Sequence, residues 1–146
     1  MNTEAMARSY LEDAAYSMEE AREALERGRY HRAVRRAQEA VELSLKAALR
    51  ILGIEHPREH DVSEALRDVA RTRGIPDWFR SELEALMMVS KRLALERGPA
   101  FYGDEGALTP PRQLYGEEDA RRAIRDAEKV FELCNRLFEW WKDKQT

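Results

Sequence analysis

A chain of 146 residues is about one domain long and large enough to bury a core of its own. Its 43% hydrophobic and 36% charged residues exclude a disordered chain and describe a globular fold under a densely charged surface. The net charge of −3 excludes wholesale attraction to nucleic acid, although it leaves room for a local basic patch.

No run of about 18 apolar residues is present, so no membrane partner is expected. The opening residues lack a basic segment leading into an apolar core, so no secretory signal is expected either. One cysteine, Cys134, excludes an intrachain disulfide and fits a reducing cytoplasm. Its place on the apolar side of the last helix suits a buried hydrophobe. Arginine, about four times as common as lysine, alternates with Glu along most helices, a lacing that suits ion-pair networks and a thermophile.

Thr3 is placed to cap a first helix whose apolar residues, Met6, Tyr10, Leu11, Ala14, Met18, Ala21 and Leu25, follow three- and four-residue steps until Gly28. A second helix from Arg29 to about Leu52 is apolar on most faces after Ala37, which predicts a central position in a bundle. Pro57 keeps the next stretch out of helix, and Asp61 with Glu64 reads as a capping box. A short third helix should then run from Val62 to about Arg73, burying Val62, Leu66 and Val69. The fourth, after Pro76, should bury Trp78 or Phe79, Leu83, Leu86 or Met87, Ser90 and Leu93, and stop at Gly98-Pro99. Residues 98–116 read as one long loop, and about Glu117 to Lys142 as a last helix. The predicted fold is all-α: one domain over residues 1–146, an up-down bundle of four long helices plus one short extra helix.

Gly28, Tyr30, Ala33, Val34, Ala37, Gln38, Ala40, Val41, Glu42, Leu45, Lys46, Ala47, Ala48 and Leu49 lead to the turn His60-Asp61-Val62. In their order these residues resemble the HEPN domain (higher eukaryote and prokaryote nucleotide-binding). The resemblance implies an RNA- or nucleotide-related helical module, commonly a dimer and often paired with a small nucleotidyltransferase. It calls for no cofactor. Many members of the family are metal-independent ribonucleases, some of them toxins of toxin–antitoxin pairs, marked by an Arg followed shortly by His and often x-Tyr. The matching stretch runs Arg97-Gly-Pro-Ala-Phe-Tyr102-Gly-Asp104, with Tyr102 where the His belongs and Asp104 where the second Tyr does. A phenol, with its usual pKa of about 10, is a poor base at neutral pH. No histidine follows His60, so no substitute base is expected and strong nuclease activity is not. An accessory binding module ranks first, a ribonuclease with an atypical Arg97, Tyr102 and Asp104 site second, and a helical interaction module third.

Arg92, Arg97 and Arg112 are candidates for phosphate contacts, with Phe101, Tyr102 and Tyr115 as surfaces on which bases stack. The favoured reading of Phe101 and Tyr102 is nevertheless that they pack the loop onto the bundle, with Asp104 or Glu105 pairing a nearby Arg. Gln38, Glu42 and Lys46 share one face of the second helix and lie within reach of His60-Asp61. They read as a structural network or dimer contact before a nucleotide pocket. Arg29, Arg32, Arg35 and Arg36, with Tyr30 and His31, make a basic opening that Glu19, Glu20, Glu23 and Glu26 can neutralise. His56 and His60 straddle Pro57 without a third ligand, so no zinc site is expected. The adjacent pairs Met87-Met88 and Trp140-Trp141 exceed one narrow core stripe, which predicts an apolar face for a homodimer.

Overall fold

Burying a helix that is apolar round most of its circumference requires neighbours on several sides. The computed structural model, which describes residues 2–55 and 60–145, supplies them to α2 (Tyr30–Ile51). α1 (Thr3–Glu26) and α7 (Glu117–Gln145) cover most of its surface, and α5 (Leu83–Tyr102) lies along another side. Ala33, Ala37, Ala40, Ala47 and Ala48 are buried, and such small side chains let the neighbouring helices approach closely. Gly28, at φ +72°, makes the tight turn that folds α1 back onto α2.

The short helix is α3 (Ser63–Ala70), which packs against α5 and buries Leu66 and Val69. Two single-turn helices, α4 (Asp77–Arg80) and α6 (Pro111–Leu114), complete seven helices among the described residues. The all-α bundle of four long helices with a short extra one is therefore what the chain forms.

The local departures have physical causes. α1 begins at Thr3 without any side-chain cap. Asp61 does bond the backbone N–H of Ser63, at 2.9 Å, but Glu64 turns outward to Arg67 instead of completing a capping box. α3 ends at Ala70, not Arg73, and the Arg80 guanidinium satisfies the carbonyls of Ala70 and Thr72 at and beyond its end. Pro99 does not end α5. It removes one backbone donor, and the helix runs a further turn on the buried Ala100 before Gly103 stops it.

The expected long loop thereby shrinks. Asp104 and Thr109 exchange backbone hydrogen bonds of 2.8 and 2.9 Å, and α6 follows almost at once. Of the doubled residues, Met88 faces outward while Met87 rests on the core. Trp140 and Trp141 both lie partly buried along the margin of the bundle, Trp141 stacked on Phe138.

Candidate functional site: a polar seam along the central helix

His31, Arg35, Gln38, Glu42 and Lys46 follow one another on α2 at steps of three and four residues, which aligns them on one face. That face meets the C-terminal half of α5 and the turn at residues 60–62. Gln38, only 2% exposed, is the hinge of the seam. Its amide oxygen accepts from Arg97 Nη1 at 3.1 Å, and its Nε2 donates to Glu42 Oε1 at 3.0 Å. Lys46 Nζ donates to Glu42 Oε2 at 2.9 Å, and His60 Nδ1 lies 2.9 Å from Oε1. Burial pushes the Glu42 carboxyl toward its neutral form, but the bonds from Gln38, Lys46 and His60 outweigh it and hold its pKa below the ordinary value.

The turn itself is pinned to α5. Ser90 Oγ accepts from the Val62 N–H at 3.1 Å and donates to Asp61 Oδ1 at 3.3 Å. Burial again opposes ionisation of Asp61, and the donors from Ser63 and Ser90 again prevail, so its pKa is lowered. Neighbouring residues therefore face two helices: Asp61 and Val62 hold α5, while His60 presents a half-exposed ring beside Glu42.

Toward its other end the seam is basic and aromatic. Arg35 lies 3.7 Å over the Phe101 ring, whose centroid is 4.6 Å from that of Tyr102. Burial and the charges of Arg36, Arg32 and Arg97 lower the pKa of Arg35, against a smaller opposing effect of Glu39. Burial, then Arg32, Arg112 and Arg29, likewise lower that of His31. Arg36 is neutralised by Glu39 at 2.9 Å and Glu20 at 3.9 Å, as the sequence leads one to expect. Among the described residues, Arg32, Arg35, Arg97 and Arg112 have no carboxylate within ion-pair distance.

The candidates proposed from sequence thus separate. Arg97, Gln38, Glu42, Lys46 and His60 come together in one hydrogen-bonded chain. His60, although far from Arg97 in sequence, is linked to it through Glu42 and Gln38. Arg92 pairs with Asp126 in a separate cleft lined by Leu93, Glu96 and Tyr115. There Tyr115 donates to Glu96, and burial together with that carboxylate raises the pKa of its phenol. Asp104 accepts from the Ala107 N–H at 3.1 Å and so braces its own turn, without the arginine partner expected for it. Phe101 and Tyr102 are 46% and 64% exposed, so they do not pack the loop onto the bundle. His31 and Arg35 are the residues that sequence reasoning left outside the stripe, although the signal was their three- and four-residue spacing to Gln38.

No group of three His, Cys, Asp or Glu side chains among the described residues is arranged to hold a metal ion. His56, one half of the histidine pair, lies outside the described residues. None of the described helices is long and apolar enough to cross a membrane.

A bundle of this architecture, with an alanine-rich central helix bonded to a His-Asp turn, defines a class. Residues 7–137 match the HEPN domain, and the chain belongs to that family. It is 32% identical over 133 residues to "Putative toxin MJ1304" of Methanocaldococcus jannaschii, covering 87% of this chain and 84% of that protein. Among solved structures it is similar to TT1696 from Thermus thermophilus, with a TM-score of 0.74 and 25% identity over 94% of this chain and 99% of the other. An archaeal HEPN homologue, ST0689, shares the fold at a TM-score of 0.67 and 23% identity, over 90% of this chain and 97% of its own.

Proposed function

We propose that this HEPN protein binds the phosphates of a nucleotide or RNA beside Arg97 and acts as an accessory module to a protein partner, such as a small nucleotidyltransferase, without strong catalysis of its own. The observation that supports the reading is the bond from Arg97 to Gln38. A guanidinium held by a neutral amide, with no carboxylate of the described residues in ion-pair distance, keeps its charge and its fork of donors for a phosphate. Glu42 fixes Gln38 and Lys46 behind it, so the cation is positioned before any ligand arrives. A phenol occupies the place of the motif histidine, which argues against strong catalysis.

A second reading, a ribonuclease toxin, has one observation in its favour besides the name of the archaeal relative. Glu42 lies against one ring nitrogen of the half-exposed His60, and a carboxylate-oriented imidazole is a general-base arrangement. One pair of measurements tests both. Calorimetry with AMP and ATP should show binding that Arg97→Ala abolishes, while labelled structured RNA in EDTA stays intact. Cleavage that disappears in both Arg97→Ala and His60→Ala would replace the first reading with the second. No binding of either nucleotide or RNA would remove both.

The same proposal includes a homodimer. Met88 and Leu95, 66% and 73% exposed, stand seven residues apart and so on one side of α5, where a second copy would cover them. Arg97 lies about 180° round α5 from Met88, on the side that meets α2, so each protomer of such a dimer would keep its own Arg97 site.

A further inference from the structure

We infer that Tyr102, braced by Phe101 and Arg35, is a plate on which one unpaired base of a single-stranded nucleic acid stacks, its flanking phosphates lying on Arg97 and Arg32. The inference rests on the proposed phosphate site at Arg97 and names what the phosphate is attached to. Two neighbouring aromatic rings in the last turn of a helix ordinarily find cover, and these do not. Nor are they loose. The Arg35 guanidinium sits on Phe101 at 3.7 Å, and Phe101 in turn supports Tyr102, their rings inclined by 34°. A cation on a ring and a ring on a ring are both attractive contacts, so the plate is held in place without being covered.

The electrostatics select the same class of ligand. Arg35 feels the charges of Arg32, Arg36 and Arg97, so these cations share one region, and among the described residues only Arg36 is neutralised there by ion pairs to carboxylates. On a chain of net charge −3 such a cluster is a local attraction set in a repelling surface. A polyanion would be drawn to this strip. A duplex hides the faces of its bases against one another, whereas a single strand offers a face to Tyr102 with a phosphate on each side. The ligand that fits both the plate and the charges is therefore a single strand.

The test is fluorescence anisotropy with the whole protein and a labelled oligoadenylate 12-mer. Its duplex, an equally long abasic phosphodiester and the deoxy strand serve as comparisons. The oligoadenylate should bind at least about tenfold more tightly than the duplex or the abasic chain. Tyr102→Ala should lose about tenfold or more and Tyr102→Trp should restore it, as the loss and return of one stacked base would. Because Tyr102 is exposed, neither change should move the melting temperature. Tighter binding of the ribose strand than of the deoxy strand assigns RNA, and equal binding assigns single strands of both sugars. Equal affinity for the abasic chain, or an unchanged Kd in Tyr102→Ala, overturns the plate. If Arg97→Ala still weakens that binding, the phosphate site survives; if it does not, the functional reading falls as well.

Discussion

Arg97 on α5 donates to Gln38 on α2 at 3.1 Å, an ionised side chain resting on a neutral, buried one. The choice of partner decides what the arginine is available for. Gln38→Glu would place a carboxylate under the guanidinium and close an ion pair within the protein. We expect that variant to bind nucleotide or RNA at least about tenfold more weakly, since the phosphate must then compete with a fixed anion, and to lose stability, since a second buried carboxylate would stand where Gln38 donates to Glu42. Gln38→Leu should also cost about 1–3 kcal/mol of stability, because the Arg97 and Glu42 groups lose a buried partner, but it places no anion under Arg97. Denaturant unfolding beside a binding titration separates the two effects, and Gln38→Glu binding as well as wild type would contradict the argument.

Glu42 is the anion on which the seam depends, accepting from Gln38 and Lys46 and meeting His60. Removing it strands the Lys46 ammonium in a nearly buried position, so Glu42→Leu should destabilise by about 3 kcal/mol. Lys46→Met removes the charge with its desolvation cost and should change stability by less than about 1 kcal/mol. The double variant should recover much of the loss seen with Glu42→Leu alone. A double-mutant cycle with no coupling would show that the two side chains do not act as a pair.

The fold was legible because helical periodicity is a local property: the continuous apolar surface from Ala37 to Ile51 marks α2 as central whatever packs on it. The site was legible in pieces. Gln38, Glu42 and Lys46 announce a common face by spacing, and Arg97 by resemblance, but the bond joining them depends on the approach of α5 to α2, which no spacing encodes. His60 is the clearest case, since a neighbour of Arg97 through two side chains lies 37 positions away along the chain. Gly98-Pro99 misled for a different reason. Proline withholds a donor and strains the preceding turn, yet the turn after it can continue when its residues are buried, as Ala100 is.

The lowered pKa of Glu42 sets a direction for acid stability. A carboxyl whose folded value lies below its ordinary 4.5 contributes stability that is complete above that value. The contribution disappears as pH falls through the folded value. Asp61 is lowered too and acts in the same sense. The stability gap between wild type and Glu42→Gln should therefore be widest near neutrality and close as the solution is acidified below 4.5. Urea unfolding at a series of pH values reads it directly, and a gap as wide in strong acid as at neutrality would mean that Glu42 ionisation is not what the seam relies on.

Gly103 ends α5 at φ +77°, and a Cβ there would lie 2.2 Å from the Thr109 carbonyl oxygen and 2.9 Å from the Pro111 nitrogen. Both are backbone atoms, so no side chain can swing aside to make room. Gly103→Ala should cost at least about 2 kcal/mol, from the left-handed conformation and from the displaced turn. The loss should concentrate at the bridge between Asp104 and Thr109, where amide exchange would quicken first. Unchanged protection of the Thr109 amide would show that the turn tolerates the methyl group.

Met88 and Leu95 carry the last prediction because they separate an assembly from a mere irregularity of the surface. Met87 and both tryptophans rest on the core, so the apolar excess expected of the adjacent pairs is concentrated at Met88 on α5. Leu95 continues that line two turns on, and about 10 Å of helix lies between them. Two such side chains meeting their symmetry mates would shield four large apolar groups from water, each contributing about 1.5–3 kcal/mol when fully buried. Light scattering at micromolar concentration should report twice the monomer mass for the wild type. Met88→Glu and Leu95→Glu should each shift it to the monomer, since a carboxylate on the axis faces its own copy. Their melting temperatures at high dilution should match that of the wild type, because both side chains are exposed in the single chain. A monomeric wild type would eliminate the dimer. A dimer indifferent to both substitutions would move the interface away from α5.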